Sequence, residues 1–231
     1  MPTHRPALAA LLSAFGLALL AAVGPARAEP AASAPTPDWE QVATEMIQRP
    51  EFEALPLQVR LPRGMSLGGS PVEMQFQAGQ CILNLRTRGN PVADLLVQQV
   101  DAPDRTLWMQ TVIAHEIAHC WRWQEHQPAL HQLAALTAPS ADPRGAATHL
   151  QRQLHAEESF ADVAALAWVR RVAPSRYDAM LDAFQRLRGN MRLSAGPHDT
   201  RAALGRLRRE GFAADLPIYA AATELLERPA R

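Results

Sequence analysis

The sequence predicts an α+β fold: a small antiparallel sheet followed by a mainly α-helical bundle. Two observations predict it. Apolar residues alternate with polar ones at period two in three segments between Leu57 and Leu85, the mark of half-buried strands. After Pro91 every long segment has helical spacing instead, and no internal repeat is visible. Strands first and helices after is the order of an α+β protein.

In chain order, residues 1–28 read as an export leader. A short basic start (His4, Arg5) precedes an apolar run from Leu8 to Val23, and Ala26-Arg27-Ala28 is a small-x-small cleavage pattern, placing cleavage near Ala28. The run is shorter than the roughly 20 residues a bilayer span needs. Localisation is therefore expected to be periplasmic or secreted, with no stable membrane span after cleavage. Residues 29–37, EPAASAPTP, read as a Pro/Ala-rich linker. Residues 38–231 are then a single domain.

Within that domain a short helix is expected from Asp38 to Gln48, stopped by Pro50. Leu57, Val59 and Leu61, then Val72, Met74 and Phe76, then Cys81, Leu83 and Leu85 form three strands, the last two joined by QAGQ at 77–80. Helices are expected at 91–100, from Asp104 as N-cap to about Glu125, from about Arg144 to Val172, and at 175–188, 199–210 and 216–228.

Composition excludes some functions. Without Arg5 and Arg27 the 23 basic residues fall to 21 against 23 acidic ones, a balance that argues against nucleic acid as partner. All the basic side chains are Arg, and their cluster between Arg186 and Arg209 reads as a solvated helix face. Export permits a disulfide between the two cysteines, Cys81 and Cys120; two buried thiols are the alternative.

The residues that carry chemistry lie in TVIAHEIAHCW, 111–121. Apolar residues surround this helix almost completely, so His115, Glu116 and His119 need a reason to be buried. His115 and His119 are four apart, which sets both rings on one face where they can reach one ion, and Glu116 stands beside the same spot. Two neutral imidazoles holding Zn²⁺, with a carboxylate as general base, meet the needs of metal-assisted hydrolysis.

A third ligand is sought on another element. Glu125 and His126 fall at the helix end, Glu125 without the helix-breaking Gly its position requires and His126 too far along the axis. In HAEESFADVAAL, 155–166, the apolar stripe Leu154, Glu158, Ala161, Ala165, Trp168, Val172 has one charged member, Glu158, which makes it the preferred ligand. His155 is a weaker competitor, and Glu157 falls off the stripe. Asp162, one turn beyond Glu158, is placed to accept the other ring N–H of a ligand histidine.

HEIAH and ESFAD together, HExxH on one helix and ExxxD on a later one, resemble the gluzincin zinc metallopeptidases. The resemblance covers about residues 80–200 and is nearest to the soluble minigluzincins and to the catalytic cores of HtpX-like and CAAX-protease-like peptidases. It implies a zincin-like domain with one Zn²⁺ on His115, His119 and Glu158, Glu116 as general base, and Asp162 orienting a ligand histidine, His115. It also implies that peptide or protein substrate adds to the sheet along QCILNLRTR, 80–88. The membrane relatives carry a late segment that begins with His and includes an Arg. GPHDTRAAL offers His198 and Arg201 at a different spacing. His198 is a candidate oxyanion donor, with Tyr177 and Tyr219 as weaker ones, and the alternative is that Gly196-Pro197 makes a turn and His198-Asp199 caps the next helix. The expected function is zinc-dependent hydrolysis of peptide bonds in an exported compartment. Its rivals are a catalytically inactive zinc-containing binding module of the cell envelope and a helical domain without metal.

Overall fold

The computed structural model describes residues 38–62, 70–136, 143–190, 198–213 and 215–229. The leader, its cleavage site and the linker fall outside the described residues. The fold is α+β: among the described residues, one three-stranded mixed sheet and seven α-helices. These residues divide into two compact units, one ending at Gln110 and the other beginning at Thr111.

In the first unit α1 (Trp39–Ile47) is capped by Asp38, whose side chain accepts from the Glu40 N–H at 2.9 Å. Its buried face is Trp39, Val42, Ala43 and Met46. Strands β1 (Leu57–Arg60), β2 (Val72–Gln77) and β3 (Gln80–Leu85) follow. The β2–β3 hairpin turns on Ala78 and Gly79, both at positive φ (50° and 82°), the pairing that a two-residue turn matching the strand twist requires. Helix α2 (Pro91–Val97) starts on Asn90, whose side chain accepts from Val92 N–H. Trp108, on the first turns of α3 (Arg105–Leu136), donates its indole N–H to the Leu96 carbonyl at 2.6 Å.

The sheet corrects two expectations. It is mixed, not antiparallel: the order is β1-β3-β2, with β2 antiparallel and β1 parallel to β3. Period-two patterning reports which face a residue occupies and is silent on which strand lies beside it. A tight turn dictates the β2–β3 pairing, whereas the chain between β1 and β3 is long enough, with β2 inside it, to return in parallel. The second correction concerns substrate along 80–88. β3 is the middle strand and is hydrogen-bonded on both sides over Cys81–Asn84, so it has no edge there for a peptide to add to. Cys81–Leu85 are all buried, so both faces of this strand are covered rather than one.

In the second unit α4 (Pro143–Val172) is the central helix, packed by α5 (Tyr177–Asn190), α6 (Arg201–Glu210) and α7 (Ile218–Glu227). Every residue from Glu158 to Val169 is buried, so the helix is enclosed on all sides there rather than along one stripe. Ala161, Ala164, Ala165 and Ala167 keep its girth small, which lets three neighbours approach. Trp168, Phe160, Phe184, Ile113, Ile117 and Leu166 fill the core. α3 extends to Leu136, beyond the expected end near Glu125. The chain's two cysteines, Cys81 and Cys120, are both disulfide-bonded. No described helix is long and apolar enough to cross a membrane.

Candidate metal centre

The site lies within the second unit and is built from α3, α4, α5 and the segment that leads into α6. On α3, the four-residue spacing brings His115 Nε2 and His119 Nε2 to 3.2 Å from each other. Across from them on α4, Glu158 places Oε2 3.6 Å from His115 Nε2 and Oε1 3.5 Å from His119 Nε2. One donor atom from each of the three residues can be chosen so that all lie within 4.8 Å of one another. Tetrahedral zinc with bonds of about 2.0–2.2 Å sets its ligand atoms about 3.3–3.6 Å apart, so these separations fit the ion.

Charge points the same way. Among the described residues of this unit the buried acidic and guanidinium side chains are Glu116, Glu158, Asp162 and Arg188. Acidic groups outnumber the guanidinium there, an excess that a cation would offset.

Asp162 controls His115. Its Oδ1 is 2.8 Å from His115 Nδ1, and the residue is fully buried. Burial alone would raise the Asp162 pKa, but Arg188 and the His115 hydrogen bond hold it well below the ordinary carboxylate value. An ionised Asp162 can only accept, so Nδ1 of His115 carries the proton and Nε2 is left to face Glu158 and His119. Burial opposes a charged His115, yet the bond to Asp162 outweighs it and the pKa is raised. For His119 burial outweighs the nearby Glu158 charge and lowers the pKa to about 4. For Glu158, burial is outweighed by the His198 hydrogen bond and by the two histidines and Arg188, which bring it to about 2. At neutral pH His119 and Glu158 are therefore already in the states that bind a cation.

Arg188, from α5, forks onto Asp162 with Nε to Oδ2 at 2.8 Å and Nη2 to Oδ1 at 2.7 Å, and Nη2 also reaches Glu158 Oε2 at 3.4 Å. Thr200 donates its hydroxyl to Asp162 Oδ2. His198 sets Nδ1 3.1 Å from Glu158 Oε2. Glu116 is buried on α3, close enough for its charge to be felt by Arg188.

The structure thus gathers His115, His119, Glu158, Asp162 and His198, with Glu116, the residue after His115, also buried. Other candidates fall elsewhere. His155 bonds the Asp199 carbonyl at 2.9 Å, Glu157 is paired with Arg122 at 2.7 Å, and Glu125 is exposed. The side chain of His126 lies outside the described residues. Arg201 pairs on the surface with Asp199 at 2.7 Å. Tyr219 stacks on Trp121 with ring centroids 4.7 Å apart, and Tyr177 meets Phe212 edge-on, its pKa pushed up to about 12 by burial.

Two members of the site were not anticipated. Arg188 sits in the arginine-rich stretch that reads as a solvated face, and Thr200 looks like an ordinary residue before a helix. A signal for Arg188 existed: Met180, Phe184 and Arg188 recur every four residues, so the charge continues the buried face of α5 just as Glu158 interrupts that of α4.

No protein-family model, curated protein or solved structure matches the chain.

Proposed function

We propose that this chain is a zinc-dependent peptidase of the gluzincin kind, acting on peptide bonds in an exported compartment. The observation that carries the reading is the convergence of His115, His119 and Glu158 from two helices, at separations suited to one tetrahedral ion. His115, His119 and Glu158 would hold the zinc. When bound, it supplies Lewis acidity, polarising a carbonyl and making a water easier to deprotonate.

The remaining work falls to side chains. Glu116 takes the proton of the attacking water on its carboxylate as the new C–O bond forms, and gives it to the leaving nitrogen as the C–N bond breaks. Asp162 keeps His115 in the tautomer that presents Nε2. His198 donates Nδ1–H to Glu158, and a singly protonated imidazole then has no N–H left for an oxyanion, so that role is not assigned to His198. With β3 closed on both sides, substrate recognition is assigned to no strand.

Glu116→Gln tests the reading. It should retain zinc at the wild-type stoichiometry and lose peptide hydrolysis by about two orders of magnitude or more. Hydrolysis at the wild-type rate would remove Glu116 from the mechanism.

One observation favours a second reading, an inactive zinc-containing binding module. His198 spends its Nδ1–H on Glu158, so the residue expected to stabilise the oxyanion is committed to that carboxylate instead. In that case the wild-type chain would bind zinc at full stoichiometry and hydrolyse no peptide, whereas the peptidase loses hydrolysis only on Glu116→Gln.

A further inference from the structure

Arg188 is buried, comes from a helix that supplies no ligand, and touches Glu158 and Asp162 of α4 at once. Glu158 and Asp162 stand one helical turn apart, and the planar guanidinium spans that turn. Nε and Nη2 fork onto the two oxygens of Asp162, and Nη2 extends to Oε2 of Glu158. Phe184, one turn before Arg188, has its ring centroid 6.4 Å from that of His115. The same face of α5 therefore borders both helices that carry the ligands. Thr200 completes the arrangement: with His115, Arg188 and Thr200 all bonded to it, Asp162 has donors on both oxygens and no solvent exposure.

We infer that Arg188, assisted by Thr200, is a positioning residue for the metal ligands, fixing Asp162, and through it His115, in register with Glu158. The inference rests on the zinc reading above and extends it to residues outside the three candidate ligands. The forked geometry is specific to Arg, since an ammonium group is a point donor that cannot span two carboxylate oxygens and a third atom in one plane. Arg188 also carries a positive charge, and charge alone would act in the opposite direction. A cation 3.4 Å from a ligand carboxylate disfavours a second cation there, so removing it would tighten zinc binding if position did not matter.

The opposed signs make the test decisive. Zinc affinity is measured by chelator competition on the full chain and on Arg188→Gln, Arg188→Lys and Thr200→Val, with folding checked by circular dichroism. Positioning predicts that zinc dissociation constants rise about tenfold or more in Arg188→Gln, rise also in Arg188→Lys although the charge is kept, and rise less in Thr200→Val. A merely structural role would lower the melting temperature of the zinc-free protein and leave the affinity of the folded variants alone. Folded Arg188 variants that bind zinc as tightly as wild type, or more tightly, would overturn the inference. Should neither Arg188 variant fold, Thr200→Val decides it, and an unchanged affinity there overturns it equally. Failure of the wild-type chain to bind zinc is a different result, which defeats the zinc reading itself.

Discussion

Asp162 is the residue on which the site turns, because its ionisation fixes the proton of His115 on Nδ1 and points Nε2 at the other donors. A pH dependence follows. Protons compete with zinc for the same donor atoms, so affinity falls as pH falls. The pKa of His115 is raised above 6.5, so its proton already competes near neutrality, while His119 at about 4 and Glu158 at about 2 join only in acid. Zinc affinity should therefore fall about tenfold per pH unit between about pH 6 and 4.5, the signature of one competing proton. Competition titrations across that range check it; a hundredfold fall per unit would show both imidazoles titrating together. At this scale much was legible in the sequence. Spacing alone singled out His115, Glu116 and His119, and one acid in an apolar stripe singled out Glu158. Arg188 escaped because an arginine among many arginines carries no compositional signal, and only the apolar spacing of α5 marks it as buried.

The elements were legible where local rules decide them. Asp38 and Asn90 cap the helices they precede, and Ala78-Gly79 turns the hairpin. What sequence could not supply was pairing, since a period-two pattern fits a parallel neighbour as well as an antiparallel one. It also could not supply the full enclosure of α4, for alanines read as weakly apolar on every face. Their role yields a prediction. Ala165 is completely buried in the middle of the enclosed stretch, where added methylenes have no room. Ala165→Leu should destabilise the protein by about 1–3 kcal/mol in urea denaturation. A stability equal to wild type would mean that α4 is not closely packed there.

At the scale of the molecule, a helical unit carries the whole candidate site and a second unit carries the sheet. The disulfide constrains the unfolded chain across the segment from Cys81 to Cys120, a loop of about 40 residues, for which chain entropy gives about 4 kcal/mol. Reduction should lower the free energy of unfolding by an amount of that order, read from urea midpoints with and without reductant. An unchanged midpoint in the reduced protein would show that the bond contributes nothing to stability. The near balance of Arg against Asp and Glu is consistent with a charge argument confined to the site, where buried carboxylates outnumber the one buried guanidinium.

The most direct measurement is the metal content of the purified chain, prepared without a histidine tag or chelator and read by elemental mass spectrometry. A site made by His115, His119 and Glu158 predicts about one zinc per chain, with affinity reduced at least about tenfold in Glu158→Ala. A folded wild-type chain that takes up no zinc after the ion is added back would contradict it.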